Sequence, residues 1–149
     1  DLITWVYNSS GLGSKSNLYS AMRAGRITAS ETPSFATFTL NGNAVGSVIT
    51  VTNGSTLKFD FTYQPQGDYY NDINYIWLVK NSAANNPSHV TYYPPSGSTS
   101  YSREVRPGDS IYPTASGYYR AAVNFFHMMP DGTWYTSWAL TNPVFFKLQ

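Results

Sequence analysis

Leu57-Lys58-Phe59-Asp60-Phe61-Thr62-Tyr63 alternates large apolar residues with polar ones without a break. Residues i, i+2 and i+4 of an extended chain fall on one side, so the stretch reads as a half-buried strand. Leu57, Phe59, Phe61 and Tyr63 point inward, and Lys58, Asp60 and Thr62 meet water. A helix would scatter the same apolar residues around its circumference. This period of two sets the fold class, and the segments on either side repeat it.

Upstream, Asn53-Gly54 and Asn41-Gly42 are hairpin signals, with Val45 to Val51 between them and Phe38 and Leu40 leading into the first. Downstream, Gln64 to Asp72 reads as a polar loop. Ile73 to Lys80 is apolar on both alternations toward its end, as expected of an inner strand that carries Trp77 deep into the core. Asn81 to Ser88 reads as loop, and His89 to Tyr93 as a strand stopped by Pro94-Pro95. Ser100 to Val105 is stopped by Pro107-Gly108, Gly117 to Phe126 is a long strand, and Thr133 to Leu140 and Val144 to Leu148 close the set. About eight or nine strands at a spacing of ~8–12 residues predict an all-β sandwich. Trp77 in mid-strand and Gly117-Tyr118-Tyr119-Arg120-Ala121 at the position of a tyrosine corner make the expected sandwich immunoglobulin-like.

One segment departs from this period. In Asn17 to Arg26, Leu18, Ala21 and Met22 share a helical face, Ser16 or Asn17 can cap the start, and Gly25 can supply the left-handed stop. A helix this short is marginal alone and needs something to pack on. Leu2 to Tyr7 before it reads as a strand. The pattern divides the chain into a strand-loop-helix segment over 1–33 and a β-sandwich over 34–149.

The chain has 149 residues, enough for one buried core. Charged residues make up 11% and aromatic residues 17%, against a usual charged share of about 25%. Tyr, Ser, Thr and Asn carry the polarity instead, which suits an extracellular or cell-surface β-domain. The net charge is +1, with basic residues scattered from Lys15 to Lys147, so the stripe that nucleic-acid binding requires is missing. Without cysteine there is neither a disulfide framework nor a thiolate metal site. No apolar run approaches the ~18 residues of a membrane helix.

Candidate chemistry is sparse. His89 and His127 lie several strands apart, and a zinc site would need Asp131 or another remote acid beside them; ordinary strand-end histidines are the plainer reading. Asp68, Asp72 and Asp109 with loop carbonyls could hold a structural calcium ion, although solvated loop acids explain them as well. No Gly-x-Ser-x-Gly elbow occurs, and Gly11-Leu12-Gly13 lacks the third glycine of a dinucleotide fingerprint. We therefore expect no catalytic residue, metal or cofactor. The aromatic excess is the one feature that demands a use. Neighbouring rings in an extended chain point to opposite faces, so some leave the core. Tyr69, Tyr70, Trp134 and Trp138 are the candidate carbohydrate-binding residues, because outward rings can stack on sugars or anchor a protein contact. The alternative use is a cross-strand ladder or an interdomain seam.

The order of several segments resembles the C-terminal portion of polymerase-and-histidinol-phosphatase (PHP) type metallohydrolases. They are Ile3 to Tyr7, Asn17 to Arg26, Phe38 to Gly42, Val45-Gly46, Ile76 to Asn81, Tyr119 to Val123 and Thr141-Asn142-Pro143-Val144-Phe145. In that family a helix ends the metal-binding barrel and an immunoglobulin-like sandwich follows. Glu31-Thr32-Pro33 stands where the family has Asn-Gly-Pro, and no His-x-His or Asp-x-His motif occurs, so no catalytic residue is carried over. The resemblance implies a non-catalytic C-terminal accessory module of a secreted enzyme. Its partners would be the catalytic domain of the same parent chain and, through the aromatics, a polysaccharide. It also implies that Leu18 and Met22 are either poorly buried or covered by a makeshift contact, while Trp77 and Val123 lie deep in the core. The rivals are a free carbohydrate-binding module, a small enzyme in which His89 and His127 converge, and an adhesive repeat.

Overall fold

A computed structural model describes residues 3–7, 11, 13–67, 69–82 and 85–149, with backbone alone at 82 and 85–87. The described chain is all-β apart from one helix. In order it runs β1 (Ile3–Val6), α1 (Lys15–Arg23), β2 (Ile27–Ser30), β3 (Phe35–Leu40), β4 (Asn43–Ala44), β5 (Val48–Val51) and β6 (Leu57–Gln64). There follow β7 (Tyr70–Ser82), β8 (Asn85–Tyr92), β9 (Ser100–Val105), β10 (Gly117–Met128), β11 (Trp134–Thr141) and β12 (Val144–Leu148). That makes twelve strands among the described residues, more than the eight or nine expected. β2 escapes the apolar pattern because its inward residues are the buried Thr28 and Ser30. The Thr28 hydroxyl is satisfied there by donating to the Ala36 carbonyl at 2.6 Å.

The strands form two sheets. The smaller runs β4-β3-β6-β9, with β3 and β6 as its inner strands. The larger is built on β10, whose whole length pairs antiparallel with β7. Its other edge is shared: Gly117 to Tyr119 pair with β12, and Ala122 to Met128 pair with β11. β11 continues to β2 and β1, β12 pairs parallel with β5, and β8 edges the sheet beside β7. Pro87, in the segment read as loop, lies in β8, where an edge strand tolerates the missing donor.

One core joins the sheets. Leu57, Phe59, Phe61 and Tyr63 from β6 meet Ile76 and Leu78 from β7 and Tyr119, Ala121, Val123 and Phe125 from β10. The Phe59 ring stands edge-on to Tyr119 at 4.9 Å, joining the layers with T-shaped aromatic geometry. Each fully buried large apolar side chain contributes about 1.5–3 kcal/mol. Val123 is fully buried, as expected, but Trp77 is not in this core. Ile76 and Leu78 take the inward parity of β7, leaving Tyr75, Trp77 and Val79 on the outer face, half-buried.

The helix starts at Ser14, whose side chain accepts from the Asn17 N–H at 3.1 Å. It ends in paired backbone bonds from Gly25 to Met22 and from Arg26 to Ala21, with Gly25 at φ +69°, the left-handed stop. Ala21 alone of its side chains is buried; Tyr19 and Met22 are exposed. The helix end is nevertheless clamped. The Asn142 amide donates to the Gly25 carbonyl at 2.9 Å, and the Gly46 N–H donates to the Pro143 carbonyl at 2.7 Å. Residues 27–30 then pair with β11, so the strands before residue 34 are hydrogen-bonded into the same sheet as those after it.

Candidate functional site

The outer face of the larger sheet carries many of the aromatics that the core does not take, among them Tyr75, Trp77, Phe126, Trp134 and Trp138. Its central groove owes its shape to register. Ala122 of β10 lies opposite Leu140 of β11 and Trp77 of β7. A small residue between two large ones leaves a depression, an open groove of about 440 Å³ lined by Trp77, Val79, Ala122, Trp138 and Leu140, with Glu31, His89 and Arg120 at its sides. That volume lies within the ~300–1,000 Å³ range of small-molecule sites.

Trp77 and Trp138 meet at 4.7 Å between ring centroids, and Tyr75 touches both, at 5.8 Å from Trp77 and 5.5 Å from Trp138. His89 of β8 packs on Trp77 at 4.9 Å, and the exposed Tyr93 extends the cluster from Tyr75 at 6.2 Å. Glu31 sits just past β2, where its Oε2 accepts the Trp138 N–H at 2.9 Å. The Glu31 N–H donates in turn to the Trp138 carbonyl at 3.0 Å. Arg120, exposed on β10, has no hydrogen-bond or ion-pair partner for its guanidinium among the described residues.

Of the four candidate sugar-binding residues, Trp138 lines this groove. Tyr70 and Trp134 gather instead around Phe126, at 6.3 and 5.9 Å, further along the same outer face. Tyr69 is exposed in the loop before β7 and has no ring contact among the described residues. Sequence reasoning missed Trp77, Tyr75, Glu31 and Arg120. The Tyr75-x-Trp77-x-Val79 and Trp138-x-Leu140 spacings were visible, but Ile76 and Leu78 gave the opposite parity of β7 an equal claim to the outside.

The histidines do not converge. Their partners on β7 are Val79 for His89 and Asn71 for His127, a separation of roughly 26 Å along an extended strand. They also differ in setting, since His127 is buried and His89 exposed. His127 Nε2 lies 2.6 Å from Ser137 Oγ, and Nδ1 lies 2.6 Å from Asn71 Oδ1. This Ser-His-Asn order resembles a nucleophile relay, but Ser137 is buried and its oxygen also bonds Thr32 Oγ1 at 3.0 Å. Thr32 donates onward to Ser34, and Ser34 to the Gln66 carbonyl, so the chain of bonds ties the loops after β2 and β6 to β7, β10 and β11. Burial holds the His127 imidazole pKa below its ordinary value, favouring the neutral ring.

Of the candidate calcium ligands, Asp68 lies outside the described residues. Asp72 accepts from the Ser96 hydroxyl, from the Gly97 and Ile73 N–H groups and from the Tyr70 hydroxyl. Asp109 accepts the Arg106 N–H at 2.8 Å. No group of three metal-ligating acids or histidines occurs among the described residues. No family model and no curated protein matches the chain in sequence.

Proposed function

We propose that this chain is a non-catalytic binding module, an immunoglobulin-like β-sandwich that holds glycan chains outside the cell on the outer face of its larger sheet. The groove over Ala122 carries the reading: it sets Trp77, Trp138 and Leu140 at the surface between polar groups of opposite kind. Aromatic rings accept the apolar C–H faces of sugars, while Glu31 and Arg120 offer an acceptor and donors for hydroxyls. Tyr70 and Trp134 would lengthen the apolar surface along the same face. The bond from the Tyr119 hydroxyl to the Ile111 carbonyl, at 2.7 Å, has the form of a tyrosine corner and supports the immunoglobulin-like assignment. Affinity electrophoresis against a panel of soluble polysaccharides tests the reading. Retardation on at least one polymer is expected, weakened about tenfold in Trp138→Ala by loss of one stacking ring. Unretarded migration on every polymer would overturn it.

The exposed side of α1 favours a second reading. Tyr19, Met22, Arg23 and Ile27 line an open groove of about 400 Å³ that nothing described covers. On this reading the chain is the C-terminal accessory module of a secreted PHP-type metallohydrolase, and the helix face docks on the catalytic barrel of the same parent chain. The barrel expressed with and without residues 1–149 tests it. Loss of stability or substrate retention on removal is expected; unchanged values would sink the docking role.

A further inference from the structure

The chemistry of the groove narrows the ligand, an inference that rests on the glycan reading above. The geometry points to a neutral, hydroxyl-rich glycan, selected by Glu31 and Arg120 together and admitted by the small side chain of Ala122.

Three observations lead there. First, the rings are packed against one another: Trp77, Trp138 and Tyr75 have centroids 4.7 to 5.8 Å apart. Rings this close leave no gap between them for an inserted ammonium group, so they do not form a cation cage. Tilted to one another by 38 to 79°, they make a stepped apolar wall against which the C–H faces of a sugar can pack.

Second, the two charged walls carry opposite signs and are not paired with each other. Glu31 Oε2 is held by the Trp138 N–H, while its other oxygen makes no bond among the described residues and can accept from a hydroxyl. The Arg120 guanidinium offers a fork of donors. A polyuronate carries a carboxylate on every ring, so a chain that satisfied Arg120 would bring another carboxylate to Glu31, a like-charge contact. A polyamine sugar meets the mirror-image conflict at Arg120. Hydroxyls donate and accept, so of these three classes the neutral glycan alone suits both walls at once.

Third, the floor is one residue wide. Ala122 stands in register between Leu140 and Trp77, so any longer side chain there fills the space the sugar needs.

Binding of the intact chain is measured by affinity electrophoresis and tryptophan fluorescence at low salt. The probes are mixed-linkage β-glucan, galactomannan and xylan as neutral polymers, with polygalacturonate and chitosan as charged ones. At least one neutral polymer is expected to bind more tightly than either charged one. Glu31→Gln and Arg120→Gln are each expected to weaken the neutral polymer about tenfold, as loss of charge-assisted hydrogen bonds predicts. Ala122→Leu is expected to abolish binding while circular dichroism and melting temperature stay those of the parent. Tighter binding of polygalacturonate, lost in Arg120→Gln and improved in Glu31→Gln, would overturn the neutral assignment and leave the glycan reading standing. Neutral binding unchanged in both charge variants would remove them as specificity residues, and unchanged binding in Ala122→Leu would remove the groove as the site. Failure of every polymer to bind would overturn the glycan reading and this inference with it.

Discussion

Asp72 shows how a carboxylate is kept charged in a nearly closed setting. It is 7% exposed, and burial alone would push its pKa up. Hydrogen bonds from the Ser96 hydroxyl, the Gly97 N–H, the Tyr70 hydroxyl and the Ile73 N–H more than offset that cost, and the net pKa lies below the usual carboxylate range. Four donors converge only on the ionised form, so protonation breaks part of the set. The sign follows from linkage. A folded pKa below the unfolded value of about 3.9 gives stability that is complete above that value and is lost as pH falls through the folded pKa. Asp72→Asn removes this contribution and leaves donors facing an amide. At pH 7 it is expected to cost about 1–3 kcal/mol, with a weaker acid dependence below pH 4 than the parent chain shows. Urea unfolding at pH 7 and at pH 3 measures both, and parallel curves for the two proteins would show that Asp72 carries no such linkage.

At the scale of elements, legibility followed the strength of the period. β6 was readable because its polar and apolar residues alternate without exception, and α1 because Gly25 follows an i, i+3, i+4 apolar face. β2 was not, since Thr28 and Ser30 are buried polar residues: Thr28 finds its partner on β3 only once the strands are assembled, and Ser30 accepts from the Thr32 N–H of the following turn. β7 was half readable. Its inner-strand character was plain, but the side that Trp77 would take depended on a register set by β10, which includes a shift between Asn124 and Phe125. A one-residue change of register moves every side chain to the other face. The candidate site suffered from the same ambiguity: Trp138 was legible as an outward ring, while Trp77, its partner in the groove, was assigned to the core. Glu31 and Arg120 carried no local signal, because they come to line the same groove, from the end of β2 and from β10, only after the sheet has formed. Asn142 and Gly46 likewise give no hint in sequence that they clamp the end of α1. Gly46, at φ +83°, lies so near the Ala24 carbonyl that a Cβ there would overlap it, which accounts for glycine at that turn.

For the whole molecule, the open question is whether residues 1–33 are a separable segment or part of one cooperative unit. The contacts favour one unit. β2 covers the edge of β11 along Ala139 to Thr141, and β1 pairs along all of β2. Trp5 and Tyr7 each stand edge-on to Phe35 at 5.9 Å, and the Tyr7 hydroxyl bonds Thr37 Oγ1 at 2.8 Å. Glu31 holds both the N–H and the carbonyl of Trp138, so the groove itself depends on where β2 ends. Removing residues 1–33 would uncover the edge of β11 and expose an unpaired strand to other chains. It would also strip the half-buried Phe35, on the side of β3 away from Ala36, Phe38 and Leu40, of the apolar cover that Trp5 and Tyr7 give it. A loss of at least about 3 kcal/mol is expected, which for a chain of this length lowers the melting temperature by roughly 10 °C. Because the groove loses Glu31 and the pairing beneath Trp138 at the same time, glycan binding should fall with stability. Scanning calorimetry of residues 34–149 beside the full chain gives the answer. A fragment that melts within a couple of degrees of the full chain in one sharp transition would show that the sandwich is complete without its first strands and helix, and that β2 is an accessory to the sheet and not a structural member of it.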